Sequence, residues 1–221
     1  MSENKKSTNL KGAVVLRLGD ILQDSDGILS LVKLNLLFII TCLPFIPFLP
    51  VLTAGPSIKA LLHCTNRLVK TGYLPDVKNT YMEAYKAEKK ESVRAGAAVV
   101  IVSLVFTLGL YFYLVMAGNN IIYAPFASVS LLVIVFAWSI TAHFFPALTD
   151  NDQLSYREKV NNAMVSAYET LPKTLIAVVI SLIFIAGQIL FLPASLPLVF
   201  TLGFSVPALC CAFAHTEPEF I

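Results

Sequence analysis

The chain has 221 residues, of which 57% are hydrophobic and only 14% charged, with a net charge of +2 and a mean hydropathy of +0.75. Soluble domains average roughly 45–50% apolar and about 25% charged residues. A water-soluble globule is therefore excluded, and so are a disordered chain, a collagen-like fibre and a disulfide-stapled secreted scaffold. What remains is an all-α polytopic membrane protein.

Residues 1–27 mix polar and charged side chains and read as a cytoplasmic segment without a cleavable signal pattern; Leu10, Val14, Leu18, Ile21 and Leu22 give 10–22 a weak amphipathic period. The first apolar run, Ile28 to Ala54, holds Lys33 and three prolines, Pro44, Pro47 and Pro50. Each proline removes a backbone donor and crowds the preceding turn, so one straight helix is excluded. The expected course is a helix over 28–43, an irregular stretch, and a new helix opened by Thr53-Ala54-Gly55-Pro56-Ser57 and returning over 56–70. Lys59, His63 and Arg67 recur every four residues on that return leg, opposite Ile58, Leu61, Leu62 and Leu68.

An amphipathic helix is predicted over 76–92, with Val77, Tyr81, Ala84 and Tyr85 on one side and Lys86, Lys89 and Lys90 suited to anionic headgroups. From Ala95 to Thr149 there is no Lys, Arg, Asp or Glu. A span needs about 20 apolar residues, so this run divides at Ala117-Gly118-Asn119-Asn120 into spans over 95–116 and 121–147. Ser155 and Glu158 form a capping box for a second amphipathic helix, with Val160, Ala163, Met164, Ala167, Tyr168 and Leu171 on its apolar face and Pro172 as its stop. Thr174 to Thr216 is again free of charge and divides at Pro193-Ala194-Ser195 into spans over 174–192 and 195–214, followed by a tail, 215–221. The sum is one transmembrane domain, 28–214, with five to six segments in hairpins. Each hairpin follows an amphipathic stretch, which reads either as a three-unit repeat or as the shared apolar composition of all spans.

Lys and Arg number eight in 55–94, three in 149–173 and four in 1–27, with none in the turns 117–120 and 193–195. The excess of cations on cytoplasmic loops places both termini, 70–94 and 149–173 in the cytoplasm. A cell-membrane location follows.

Catalytic patterns are missing: there is no phosphate loop, dinucleotide fingerprint, paired-His zinc helix or nucleophile elbow. No acidic residue lies inside a predicted span, which argues against an ion-coupled pump. Cys42, Cys64, Cys210 and Cys211 form no C-x-x-C and read as small buried hydrophobes. Neither a metal nor an organic cofactor is expected. Among polar residues in apolar segments, Lys33 can snorkel to headgroups, His143 is expected at the interface, and Asn35 and Gln188 are expected to hydrogen-bond between helices for about 0.6–2 kcal/mol. The candidate binding feature is the broken first hairpin, with Asn35, Thr53, Gly55, Pro56, Lys59 and His63 around a helix N-terminus at membrane depth. Arg67, Tyr81 and Tyr85 extend it to a candidate partner surface on the cytoplasmic helices.

Leu34-Asn35-Leu36-Leu37-Phe38, Pro44, Leu52-Thr53-Ala54-Gly55-Pro56 and Ala60-Leu61-Leu62 resemble the N-terminal signature of the YesL-like bacterial membrane proteins. The resemblance is specific mainly over 31–94. It implies an accessory role beside carbohydrate ABC importers, with no known functional residues to transfer. The expected function is a non-enzymatic membrane accessory protein whose partners are the lipid bilayer and carbohydrate ABC permease subunits, without nucleic acid. The alternative is a small transporter with its pocket at the broken hairpin.

Overall fold

A computed structural model describes Ile21 and residues 25–42, 49–150 and 155–215. The expectations for 10–20, for Pro44 and Pro47 and for 216–221 lie outside the described residues. Among the described residues there are nine α-helices and no strand. In chain order they are α1 (Ser25–Cys42), α2 (Leu49–Thr71), α3 (Val77–Lys86), α4 (Lys89–Ala117), α5 (Ala124–Asp150), α6 (Tyr156–Glu169), α7 (Leu171–Leu190), α8 (Leu196–Leu202) and α9 (Ser205–His215). Four stretches are long and apolar enough to cross a membrane: α1, α4, Ile121–Pro146 and Pro172–Leu190. The pair α8–α9, bent by 48°, makes a fifth if it counts as one span. The chain is an all-α polytopic helical bundle, with segments at the lower end of the expected five to six.

Local chemistry sets several boundaries where the sequence puts them. Asp76 caps α3, its Oδ1 accepting from the Asn79 N–H at 3.1 Å. Ser155 and Glu158 close the capping box of α6, with the Ser155 N–H donating to Glu158 Oε2 at 2.8 Å. Asn120 turns the chain between α4 and α5 by accepting from the Ile122 N–H. Pro172, read as a stop, sits in the first turn of α7 directly after α6 ends.

Three expectations are corrected. The amphipathic helix does not run over 76–92, because α3 ends at Lys86 and α4 begins at Lys89. The return helix does not open at Pro56: α2 begins at Leu49, Pro50 lies in its first turn and Pro56 falls inside it. The last span is not one helix, because it breaks between Leu202 and Ser205.

The bundle is organised around α2, which packs against α1, α3, α4, α5 and α9 although it is not one of the helices apolar enough to span. Ala60, Cys64, Leu68 and Val69 of α2 join Leu31, Leu34, Tyr81, Phe145 and Leu148 in the core. Its crossing with α4 is a backbone contact. A Cβ at Gly55 would stand 1.9 Å from the Ser92 carbonyl oxygen, and one at Gly96 would stand 2.2 Å from Gly55 Cα. By contrast α4 and α5 form a hairpin whose far half touches little else; no residue in the apolar window of α4 is buried, and Leu104, Leu108, Tyr111 and Val115 are exposed. That surface matches a hydrocarbon surrounding.

Gly96→Val forces the two backbones apart. The expected loss is at least the ~1–3 kcal/mol of ordinary overpacking, read as a lower thermal midpoint in detergent. Gly187→Ala, within α7 and where an added Cβ meets nothing within 4 Å, should raise the midpoint slightly, by the ~0.5–1 kcal/mol that glycine costs in a helix interior.

Candidate functional site

Asn35, on α1, is fully buried, and its carboxamide is spent on the α8–α9 break. Nδ2 donates to the carbonyls of Val199 and Phe200, both at 2.8 Å, and Oδ1 accepts from the N–H groups of Phe204 (2.7 Å) and Ser205 (3.2 Å). These are the groups that a broken helix leaves without intrahelical partners. Pro207 cannot donate to the Gly203 carbonyl four residues back; Gln188 Nε2 does so instead, at 3.3 Å. Gly203 is constrained as well, since a Cβ there would lie 2.6 Å from the Val199 oxygen. Both deep amides therefore bond between helices, as expected, and the broken element they serve is the last span.

The remaining candidates of the first hairpin scatter. Thr53 Oγ1 donates to the Cys42 carbonyl at 3.3 Å. Gly55 is occupied by the α4 crossing, and Pro56 is buried within α2. With Pro56 inside the helix, the helix N-terminus that the sequence places there is missing. Lys59 is buried and its ammonium donates to the Ala87 carbonyl. His63 is half-buried and Arg67 exposed, so the predicted stripe runs from core to surface. Tyr81 is enclosed, its hydroxyl paired with Thr41 Oγ1 at 2.7 Å and with the Ser57 carbonyl at 3.4 Å, so it offers no surface to a partner. Burial pushes the Tyr81 phenol up, opposed by those hydrogen bonds; burial also raises Tyr85, which is half-buried with the Lys89 ammonium 5.8 Å from its ring centre.

Sequence reasoning missed the turn that receives Lys59. Between α3 and α4, Glu88 adopts a left-handed conformation (φ 41°), uncommon for a residue with a side chain. Its Oε1 takes the ammonium of Lys159, which is 2% exposed on α6. One turn thus accepts two buried lysines, from α2 through a backbone carbonyl and from α6 through a carboxylate. The inward turn of Lys159 rotates α6 away from the predicted face. Lys159, Ala163 and Ala167 are buried, while Met164 (50%), Val165 (50%) and Tyr168 (79%) are exposed.

His143 is enclosed by the bundle. It is 1% exposed, with Nε2 at 2.9 Å from Thr174 Oγ1 and 3.2 Å from Thr170 Oγ1, and Nδ1 at 3.3 Å from Ser166 Oγ. This cluster joins α5 to the α6–α7 junction. No group of three or more His, Cys, Asp or Glu is placed to hold a metal ion among the described residues.

An apolar cavity lies elsewhere. A cavity of about 360 Å³ is bounded by α1, α2, α5, α7 and α9, with Phe38, Ile58, Trp138, Leu182, Phe204 and Cys211 in its wall.

Fold and site together define a membrane helical bundle whose internal polar groups are committed to holding helices in place. Residues 31–110 match the model of a family described as a protein of unknown function, DUF624; the match covers most of α1, all of α2 and α3, and most of α4. No curated protein and no solved structure matches the chain.

Asn35→Leu strands two carbonyls and two N–H groups. Each buried group left unpaired costs about 1–3 kcal/mol, so the thermal midpoint in detergent should fall sharply, with new protease sensitivity at 199–205. Lys159→Met removes the partner of a partly buried carboxylate, a loss of about 3–5 kcal/mol for buried pairs. Adding Glu88→Gln in the same chain should restore part of the midpoint.

Proposed function

We propose that the chain is a non-enzymatic accessory protein of the cell membrane that docks on another membrane complex through α6. The observation that carries this reading is the exposed apolar flank of α6. A helix outside the candidate spans turns its alanines inward and leaves Met164, Val165 and Tyr168 in the open. Large exposed apolar groups of this kind mark interaction surfaces. Arg67, exposed on α2, adds a cation among the non-spanning helices. The YesL-like resemblance of 31–94 points to a carbohydrate ABC permease as the partner.

A transporter has less support. Of the polar side chains offered for a substrate site, Asn35, Thr53 and Lys59 are engaged in internal bonds, and the cavity bounded by α1, α2, α5, α7 and α9 is apolar. In the favoured reading both termini, α3 and α6 face the cytoplasm.

Two measurements test this. Tagged protein in mild detergent should co-purify with permease subunits, and Val165→Asp with Tyr168→Ala should abolish that while expression and thermal midpoint stay normal. Lowered expression and midpoint with these changes would instead make α6 a headgroup anchor. A chain that alone moves sugar into liposomes would overturn the accessory reading. On a cysteine-free background, an impermeant thiol reagent added outside should modify Asn119→Cys and spare Lys78→Cys and Glu158→Cys. The reverse pattern refutes the orientation.

A further inference from the structure

We propose that the cavity between α1, α2, α5, α7 and α9 is a binding site for one acyl chain of a membrane phospholipid, held as part of the bundle. Its wall has nothing to offer water. The two hydroxyls there, Thr141 and Ser181, donate to their own helices at the Ala137 and Ala177 carbonyls, both at 2.7 Å. A buried water needs two to four polar partners. The volume also exceeds the roughly 150 Å³ at which an apolar void stays dry and admits a benzene-sized guest.

The occupant follows from the surroundings. Four of the five bounding helices belong to candidate spans, α9 through its pairing with α8, so the solvent outside the wall is hydrocarbon. Ile58 and Trp138 also line a second recess of about 280 Å³, whose other wall is Val99, Val100, Ser103, Leu104 and Thr107 of α4. That helix carries the exposed apolar face described above. Ile58 and Trp138 thus stand between the cavity and a recess beside the exposed face of α4.

Trp138 is the chain's only tryptophan, so its emission reports the site. The delipidated full chain in detergent is titrated with a phosphatidylcholine brominated on one acyl chain. The expected result is quenching that saturates near one lipid per protein and is competed away by the unbrominated lipid. Ala208→Phe, which fills the wall, should cut the amplitude at least twofold with helicity and monodispersity unchanged. A second readout needs no variant. Cys42 and Cys211 line the cavity, and saturating unbrominated lipid should slow their reaction with an apolar maleimide several-fold while Cys210 reacts as before. Quenching that rises in proportion to bromolipid without a plateau, or thiol rates indifferent to lipid, would overturn the proposal. So would plateau quenching by a short bromoalkane but not by the lipid, which would assign the cavity to small apolar molecules.

Discussion

A helix that stops and restarts at membrane depth exposes carbonyls on one side of the break and N–H groups on the other, and hydrocarbon can satisfy neither. The carboxamide of Asn35 reaches across the bundle to bond both sides of the break at once. Much of the packing is arranged around that contact. The bend lets α8 lie against α1 while α9 stays with α7 and α2, and it brings Phe204 to 5.0 Å from Phe38, ring centre to ring centre. The same bend sets Phe204, Pro207, Ala208 and Cys211 as one wall of the apolar cavity. A straight last helix would leave Asn35 buried with nothing to bond and would remove that wall.

The second constraint is electrical. Lys59 and Lys159 approach one turn from opposite elements, and Glu88 accepts a left-handed backbone to be there. Glu91 lies near enough to act on Lys59 together with Glu88, so two cations and two anions offset one another. Because α2, α6 and the α3–α4 turn all meet at this cluster, a shift in one of them is felt by the others. With Lys159 inward beside Ala163 and Ala167, only one edge of the predicted face of α6, Met164 and Tyr168, is left exposed.

The spans and hairpin turns were legible because charge-free runs and short polar breaks are local features, and so were the caps at Ser155 and Asn120. The inward face of α3 was legible too, since Val77, Tyr81 and Ala84 follow one helical period and are all buried. Proline was ambiguous. Pro56 opening a helix and Pro56 within one look alike in sequence, and the choice rested on neighbours such as Ser92 and Gly96 that no local pattern announces. The roles of Lys59 and His143 were hidden for the same reason, with partners 28 and 23–31 residues away. The α8–α9 break did leave a trace: Gly203 followed by Pro207 is a carbonyl without its donor. The pairing with Asn35, 164–170 residues distant, was not deducible from it.

That separation bears on how the protein is made. The helix at the centre of the bundle, α2, is too polar to favour hydrocarbon by itself, and its neighbours arrive in stages. Gly96 reaches it with the second hairpin, the Glu88 turn is completed by Lys159, and the partners of Asn35 emerge last of all. Until then α1 holds a carboxamide in the bilayer without the backbone groups it will bond. The nascent chain therefore passes through most of its synthesis as a set of inserted hairpins without a settled interior, and the closing of the bundle is a late event joining its first helix to its last. Any chain cut short before residue 199 lacks every backbone group that Asn35 bonds.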